Sequence, residues 1–206
     1  LWGVRSPFCP RLFGVGFFAS IEVKNGDSAL LHDTISHCLS RIFPYTMSNY
    51  IPHQPHPWVR RLYALCLYVL LPIVPLYLLW RGRKQPEYRQ HWAERFAFYT
   101  HSRVAPQKRR VWLHAVSLGE TRAAAPLVHA FFKQTSDAHI ILTHTTPTGR
   151  ASGQELFAEY LKDGRMTQVY APYDLNPLLN RFFKTFAPTD VWIMETEVWP
   201  NLMAQC

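Results

Sequence analysis

From Val111 onward the apolar positions fall into short blocks separated by stretches of helical spacing. Val111 to Val116 is an apolar run of strand length, and in Gly119 to Gln134 the residues Ala123, Leu127, Val128, Phe131 and Phe132 recur on one side of a helix. The pattern then repeats. It predicts strand His139 to Thr143, helix Thr148 to Leu161, strand Thr167 to Ala171, helix Asn176 to Phe186, strand Val191 to Met194, and a further helix starting near Trp199. Strands alternating with helices imply a parallel sheet of right-handed βαβ units, an α/β Rossmann-like domain over residues 111–206.

Upstream the period changes. Leu62 to Trp80 runs for nineteen residues without a charge, which matches the roughly 20 needed to cross a bilayer as a helix. Pro72 and Pro75 would kink that helix, and Tyr63, Tyr68, Tyr77 and Trp80 supply rings suited to an interface. A shallow, monotopic insertion fits the same residues. The next segment, Arg81 to Arg110, holds nine Lys or Arg against two acids, Glu87 and Glu94, within a chain of net charge +8. Following directly on an apolar run, these cations fit an anionic membrane surface, and no stacking aromatics on a recognisable module point to nucleic acid. Arg60 and Arg61 are outnumbered by Arg81, Arg83, Lys84, Arg89 and Arg95, which places the C-terminal portion on the cytoplasmic side.

Residues 1–46 show no sustained period and begin without Met; they read as a non-native or disordered leader, with Met47 as the start of a polar N-terminus over 47–61. Cys9, Cys38, Cys66 and Cys206 lack CxxC or zinc-finger spacing, so neither a disulfide framework nor a metal site is expected.

The ends of the strands carry the polar chemistry. Ser117, Gly119 and Glu120 follow the first, and Thr145, Thr146, Pro147, Thr148, Gly149 and Arg150 the second. Pro172, Tyr173 and Asp174 follow the third, and Glu195, Thr196 and Glu197 the fourth. In open α/β folds this carboxyl edge binds ligands. Glu120 alone reads most simply as a helix-start residue favoured by the macrodipole; the acidic pair Glu195 and Glu197 at the same edge supports a catalytic reading. Thr148 reads as an N-cap, Asp174 as a turn residue, and Gly119 as a sharp turn that also lets a ligand approach. His114 reads as a core histidine, whereas His144 ends a strand and is less easily assigned. Neither GxGxxG nor GxxxxGK[ST] is present, which disfavours a dinucleotide or P-loop site.

HAVSLGETRAA, THTTPTGR, YAPYDL and METEVWPNL, in this order and spacing, resemble the 3-deoxy-D-manno-oct-2-ulosonic acid (Kdo) transferases of Gram-negative bacteria. WRGRKQPEYRQHWAERFAFY is similar to that family's juxtamembrane segment, and the resemblance covers about Met47 to Cys206. It implies the N-terminal, acceptor half of a GT-B glycosyltransferase at the cytoplasmic face of the bacterial inner membrane, with the C-terminal donor domain absent from this chain. It implies metal-independent, inverting transfer of Kdo from CMP-Kdo to a lipid A precursor (lipid IVA), with no cofactor. The general base of the family's GE motif falls on Glu120, with Ser117 and Gly119 beside it, and the ETE motif on Glu195, Thr196 and Glu197. Arg122, Thr146, Thr148 and Arg150 are candidates for the acceptor, the guanidinium groups for its phosphates. By this reading the fragment alone is inactive. The rival from another class is a membrane-tethered Rossmann-like binding module without activity.

Overall fold

A computed structural model describes residues 11–15, 57–100, 109–194 and 199–205. Five strands, β1 (Arg11–Val15), β2 (Arg109–His114), β3 (Ala138–His144), β4 (Met166–Tyr170) and β5 (Asp190–Met194), form one all-parallel sheet in the order β1-β5-β2-β3-β4. β2 to β5 sit within two residues of the predicted strands. β1 is a correction to the absence of strand period in residues 1–46: five residues there pair with β5 at the sheet's edge. The rest of that stretch lies outside the described residues.

Alternation within each strand divides the core. Val111, Leu113, Ile140, Leu142 and Trp192 pack under α4 (Leu118–Gln134), meeting Ala124, Val128, Phe131 and Phe132. Trp112, Ile141, Val169, Val191 and Ile193 face the opposite layer, where α7 (Asn176–Phe186) contributes Leu179, Phe182, Phe183 and Phe186. Strands buried on both faces are expected to be continuously apolar, as these are. After β4 the chain crosses from one side of β2 to the other. The sheet therefore has a switch point between the carboxyl ends of β2 and β5, where such folds open a crevice.

The predicted helix over Thr148 to Leu161 is two helices, α5 (Pro147–Leu156) and α6 (Ala158–Lys162). The uncharged run is likewise two helices, α1 (Pro57–Leu70) and α2 (Ile73–Arg81), bent by 56° at the break. Pro72 accounts for this, because it lacks an N–H and its ring crowds the carbonyl four residues back. Pro75 falls in the first turn of α2, where a missing donor costs nothing. Among the described residues no single helix is long and apolar enough to cross a membrane, although this bent pair passes together by length and composition. Its apolar residues stay exposed, including Trp58, Leu62, Leu65, Val69, Ile73 and Leu76; of the pair, Leu78 is buried. A short helix α3 (Trp92–Arg95) follows, and the final α8 (Pro200–Gln205) packs against α1.

Candidate active site

The turn after β2 is built around Ser117 and Glu120. Ser117 N-caps α4 by accepting from the Glu120 N–H at 3.4 Å. The Glu120 carboxylate reaches back in turn: Oε1 accepts from Ser117 Oγ and Oε2 from the Val116 N–H, both at 2.8 Å. This is a variant of the capping box, in which the carboxylate takes the Ser117 hydroxyl and the N–H of the residue before the cap. It leaves Glu120 6% exposed at the switch point, with both oxygens oriented. Gly119 is corrected: it lies inside the helix, and an added Cβ would meet nothing nearer than Ser117 Oγ at 3.9 Å, so no sharp turn requires it. The space beside it is open.

The β3–α5 turn rests on the same backbone. Thr146, not Thr148, is the N-cap of α5; its Oγ1 accepts from the Gly149 N–H at 3.2 Å and donates to the Val116 carbonyl at 3.0 Å. Thr148 is exposed, as is Arg122. Arg150 is directed elsewhere: its Nη1 donates to Glu94 Oε2 at 2.6 Å, and its guanidinium lies over the Tyr170 ring. Glu94 Oε2 also accepts from the Tyr170 N–H at 2.8 Å. Arg95 is buried beside it, donating from Nη2 to the Thr145 carbonyl at 3.0 Å.

The reading of Arg81 to Arg110 as a basic juxtamembrane segment for an anionic membrane surface is therefore corrected for three of its cations. Arg95 is internal, Arg109 pairs with Asp190, and Arg110 donates to the Ala187 carbonyl. Arg81, Arg83, Lys84 and Arg89 remain exposed.

His144 organises the layer beneath. Its Nδ1 lies 2.8 Å from the Ala115 carbonyl, which can only accept, so Nδ1 carries the proton. Nε2 then accepts from the Gln168 amide at 2.8 Å, and that amide also donates to the Arg150 carbonyl. Thr121, unremarked in the sequence, donates to the Ser117 carbonyl and approaches His144 Nδ1. Helix α5 passes so close that a Cβ on Gly153 would stand 2.3 Å from Gln168 Nε2 and 2.9 Å from His144 Nε2. His114 is also buried, with Nδ1 at 2.8 Å from Thr143 Oγ1 and its ring edge-on to Trp199.

Burial lowers His144 to about 3 and His139 to about 4, from an ordinary 6.5. Both are neutral when folded and protonated more readily when unfolded. The stability they contribute is present above about pH 6.5 and is lost as pH falls toward 4, by up to about 1.4 kcal/mol per pH unit for each. Urea midpoints at pH 7.5, 6 and 5 check this, and His139→Gln should flatten the profile. A wild-type midpoint independent of pH over that range would show both rings charged in the fold.

Asp174 caps a different element from the one expected. Its two carboxylate oxygens accept from the Asn201 and Leu202 N–H groups of α8 at 3.0 and 2.9 Å, and the Tyr63 hydroxyl of α1 bonds the same carboxylate. Burial raises its pKa above the usual carboxylate range. Glu195, Thr196 and Glu197 lie outside the described residues; in the chain they follow Met194, the last residue of β5.

A family profile described as 3-Deoxy-D-manno-octulosonic-acid transferase (kdotransferase) matches residues 90–206, more than half of the chain and the whole of β2 to β5. The chain belongs to that family. The resemblance read from HAVSLGETRAA, THTTPTGR, YAPYDL and METEVWPNL is borne out. The 3-deoxy-D-manno-octulosonic acid transferase of Bordetella pertussis is 42% identical over 146 residues, 70% of this chain and 34% of that protein. The Haemophilus influenzae transferase of the same name is 33% identical over 71% of this chain and 33% of its own length. A protein of Arabidopsis thaliana named probable 3-deoxy-D-manno-octulosonic acid transferase, mitochondrial, is 36% identical over 71% of this chain and 31% of its own. The chain spans about a third of the length of these relatives. No solved structure shows a significant match to it.

Proposed function

We propose that this chain forms the acceptor side of a Kdo transferase that moves Kdo from CMP-Kdo to a lipid A precursor, lipid IVA, with Glu120 as general base. The observation that carries this reading is the Glu120 carboxylate itself, oriented by two donors at the switch point of a Kdo transferase family domain. A sugar hydroxyl is a weak nucleophile at neutral pH. A carboxylate that takes its proton as the new glycosidic bond forms lowers that barrier. The acceptor oxygen attacks the anomeric carbon of Kdo opposite the phosphate; the bond to CMP breaks, CMP leaves with the electron pair, and the configuration inverts. No metal or cofactor enters this scheme. Glu195 and Glu197 act as supporting carboxylates, and exposed Arg122 and Thr148 face the acceptor.

The relatives are about three times as long as their matched portions. In a GT-B arrangement the added length would form the domain that holds CMP-Kdo. The exposed apolar face of α1 and α2, followed by Arg81, Arg83, Lys84 and Arg89, supports docking on an anionic bilayer, assigned here to the cytoplasmic face of the bacterial inner membrane.

The test is to incubate the full-length protein with CMP-Kdo and lipid IVA in vesicles and weigh the lipid by mass spectrometry. Addition of one or more Kdo masses is expected. Binding of lipid IVA with no mass added would instead support the tethered binding module.

A further inference from the structure

We propose that Arg95 is a positioning residue for the transfer reaction, holding from the juxtamembrane helix the turn that in turn orients Glu120. This rests on the reading of Glu120 as base. The connection is continuous in hydrogen bonds. Arg95 Nη2 fixes the Thr145 carbonyl at 3.0 Å. The next groups on that turn, the Thr145 N–H and Thr146 Oγ1, both donate to the Val116 carbonyl, at 3.4 and 3.0 Å. Val116 then presents its own N–H to Glu120 Oε2 at 2.8 Å. One residue's backbone is thus gripped on its carbonyl by the Arg95-bound turn and delivers its amide to the base.

Arg95 is an expensive residue for a purely structural purpose. It is 5% exposed, its guanidinium stacks on Tyr170 at 4.0 Å, and its Nε has no hydrogen-bond partner among the described residues. Two guanidinium groups, those of Arg95 and Arg150, share the Tyr170 ring with one carboxylate, Glu94. An apolar side chain would cover the ring without desolvating a charge, and replacing buried ions by well-packed apolar groups is often neutral or stabilising. What such a side chain could not do is hold a carbonyl on the β3–α5 turn. Glu94, the neighbouring residue, fixes the helix from which Arg95 acts through Arg150 and the Tyr170 amide. The Arg95 carbonyl accepts from the Tyr173 N–H at 3.1 Å, tying the same helix to the loop after β4.

The experiment uses the full-length protein. Arg95→Met keeps the stem against Tyr170 and removes the donor. Loss of the charge-assisted hydrogen bond to the Thr145 carbonyl, with the guanidinium's contacts to the Tyr170 and Tyr173 side chains, should lower kcat about tenfold with less than about twofold change in acceptor KM. Amide exchange in residues 113–121 should quicken about tenfold while that of α7 stays unchanged. Arg95→Lys, which restores a donor, should recover most of kcat and return exchange at 113–121 to the wild-type rate. If Arg95→Met does not fold, Arg95→Gln is read by the same kcat-against-KM and exchange measurements. Activity lost only in proportion to folded protein overturns the proposal, and so does unchanged exchange at 113–121. Should the wild type transfer no Kdo at all, the functional reading fails, and the exchange measurement alone decides whether Arg95 orders this turn.

Discussion

Glu120→Gln in the full-length enzyme is expected to lower turnover by about 10²–10⁴-fold while leaving the fold and acceptor binding nearly intact. The geometry makes this substitution unusually clean. The new amide oxygen can accept from the Val116 N–H, and the new amide nitrogen can donate to Ser117 Oγ, so both contacts of the carboxylate survive. Only the capacity to take a proton is removed. Glu120→Ala is the contrasting variant, since it also removes the capping contacts, a loss of about 1 kcal/mol in helix stability. A residue that matters only as a helix start would show near-normal turnover for Gln, with the only loss being the lowered thermal stability of Ala. Single-turnover rates and melting curves on the two variants separate these outcomes. Near-normal turnover in Glu120→Gln would move the search for the base to Glu195 and Glu197.

Arg150→Ala should cost about 3–5 kcal/mol of stability, because it strands a buried carboxylate. Glu94 and Arg150 have side chains only 9% and 12% exposed, with Nη1 and Oε2 at 2.6 Å. The paired change Glu94→Gln with Arg150→Met removes both charges and should recover most of the loss, which a double-mutant cycle in urea would measure. The sequence suggests another duty for Arg150, pairing with an acceptor phosphate. The two roles leave opposite signatures. A phosphate ligand would raise acceptor KM at unchanged stability, whereas the structural partner of Glu94 would lower stability before any effect on KM.

The difference between those roles illustrates what can be read without coordinates. Strand and helix positions from β2 to β5 were legible because apolar alternation and helical spacing are local signals. The carboxyl edge was legible too, since it follows from βαβ order, and with it the placement of Ser117, Glu120 and Thr146. Partners distant in sequence were not. Glu94 and Arg150 are separated by 56 positions, and Asp174 caps a helix that begins 26 residues later. An Arg in a basic segment reads as solvated by composition, while tertiary packing buries Arg95 against Tyr170. One signal was available in retrospect: Glu94 is one of two acids among nine cations, and a scarce opposite charge in such a run invites a specific partner. The unanticipated edge strand, β1, lies in a segment whose glycines at 14 and 16 obscure any period.

Gly153 carries a consequence for how this family's sequences can vary. Its missing side chain is the space that the His144 ring and the Gln168 amide occupy, so the three positions are not independent letters. A drift to alanine at 153 is tolerable only alongside a smaller residue at 144 or 168, and the two polar residues are only worth keeping together. Positions 144, 153 and 168 should therefore be inherited as a unit, changing jointly or not at all, while neighbouring exposed positions such as 151 and 154 diverge freely.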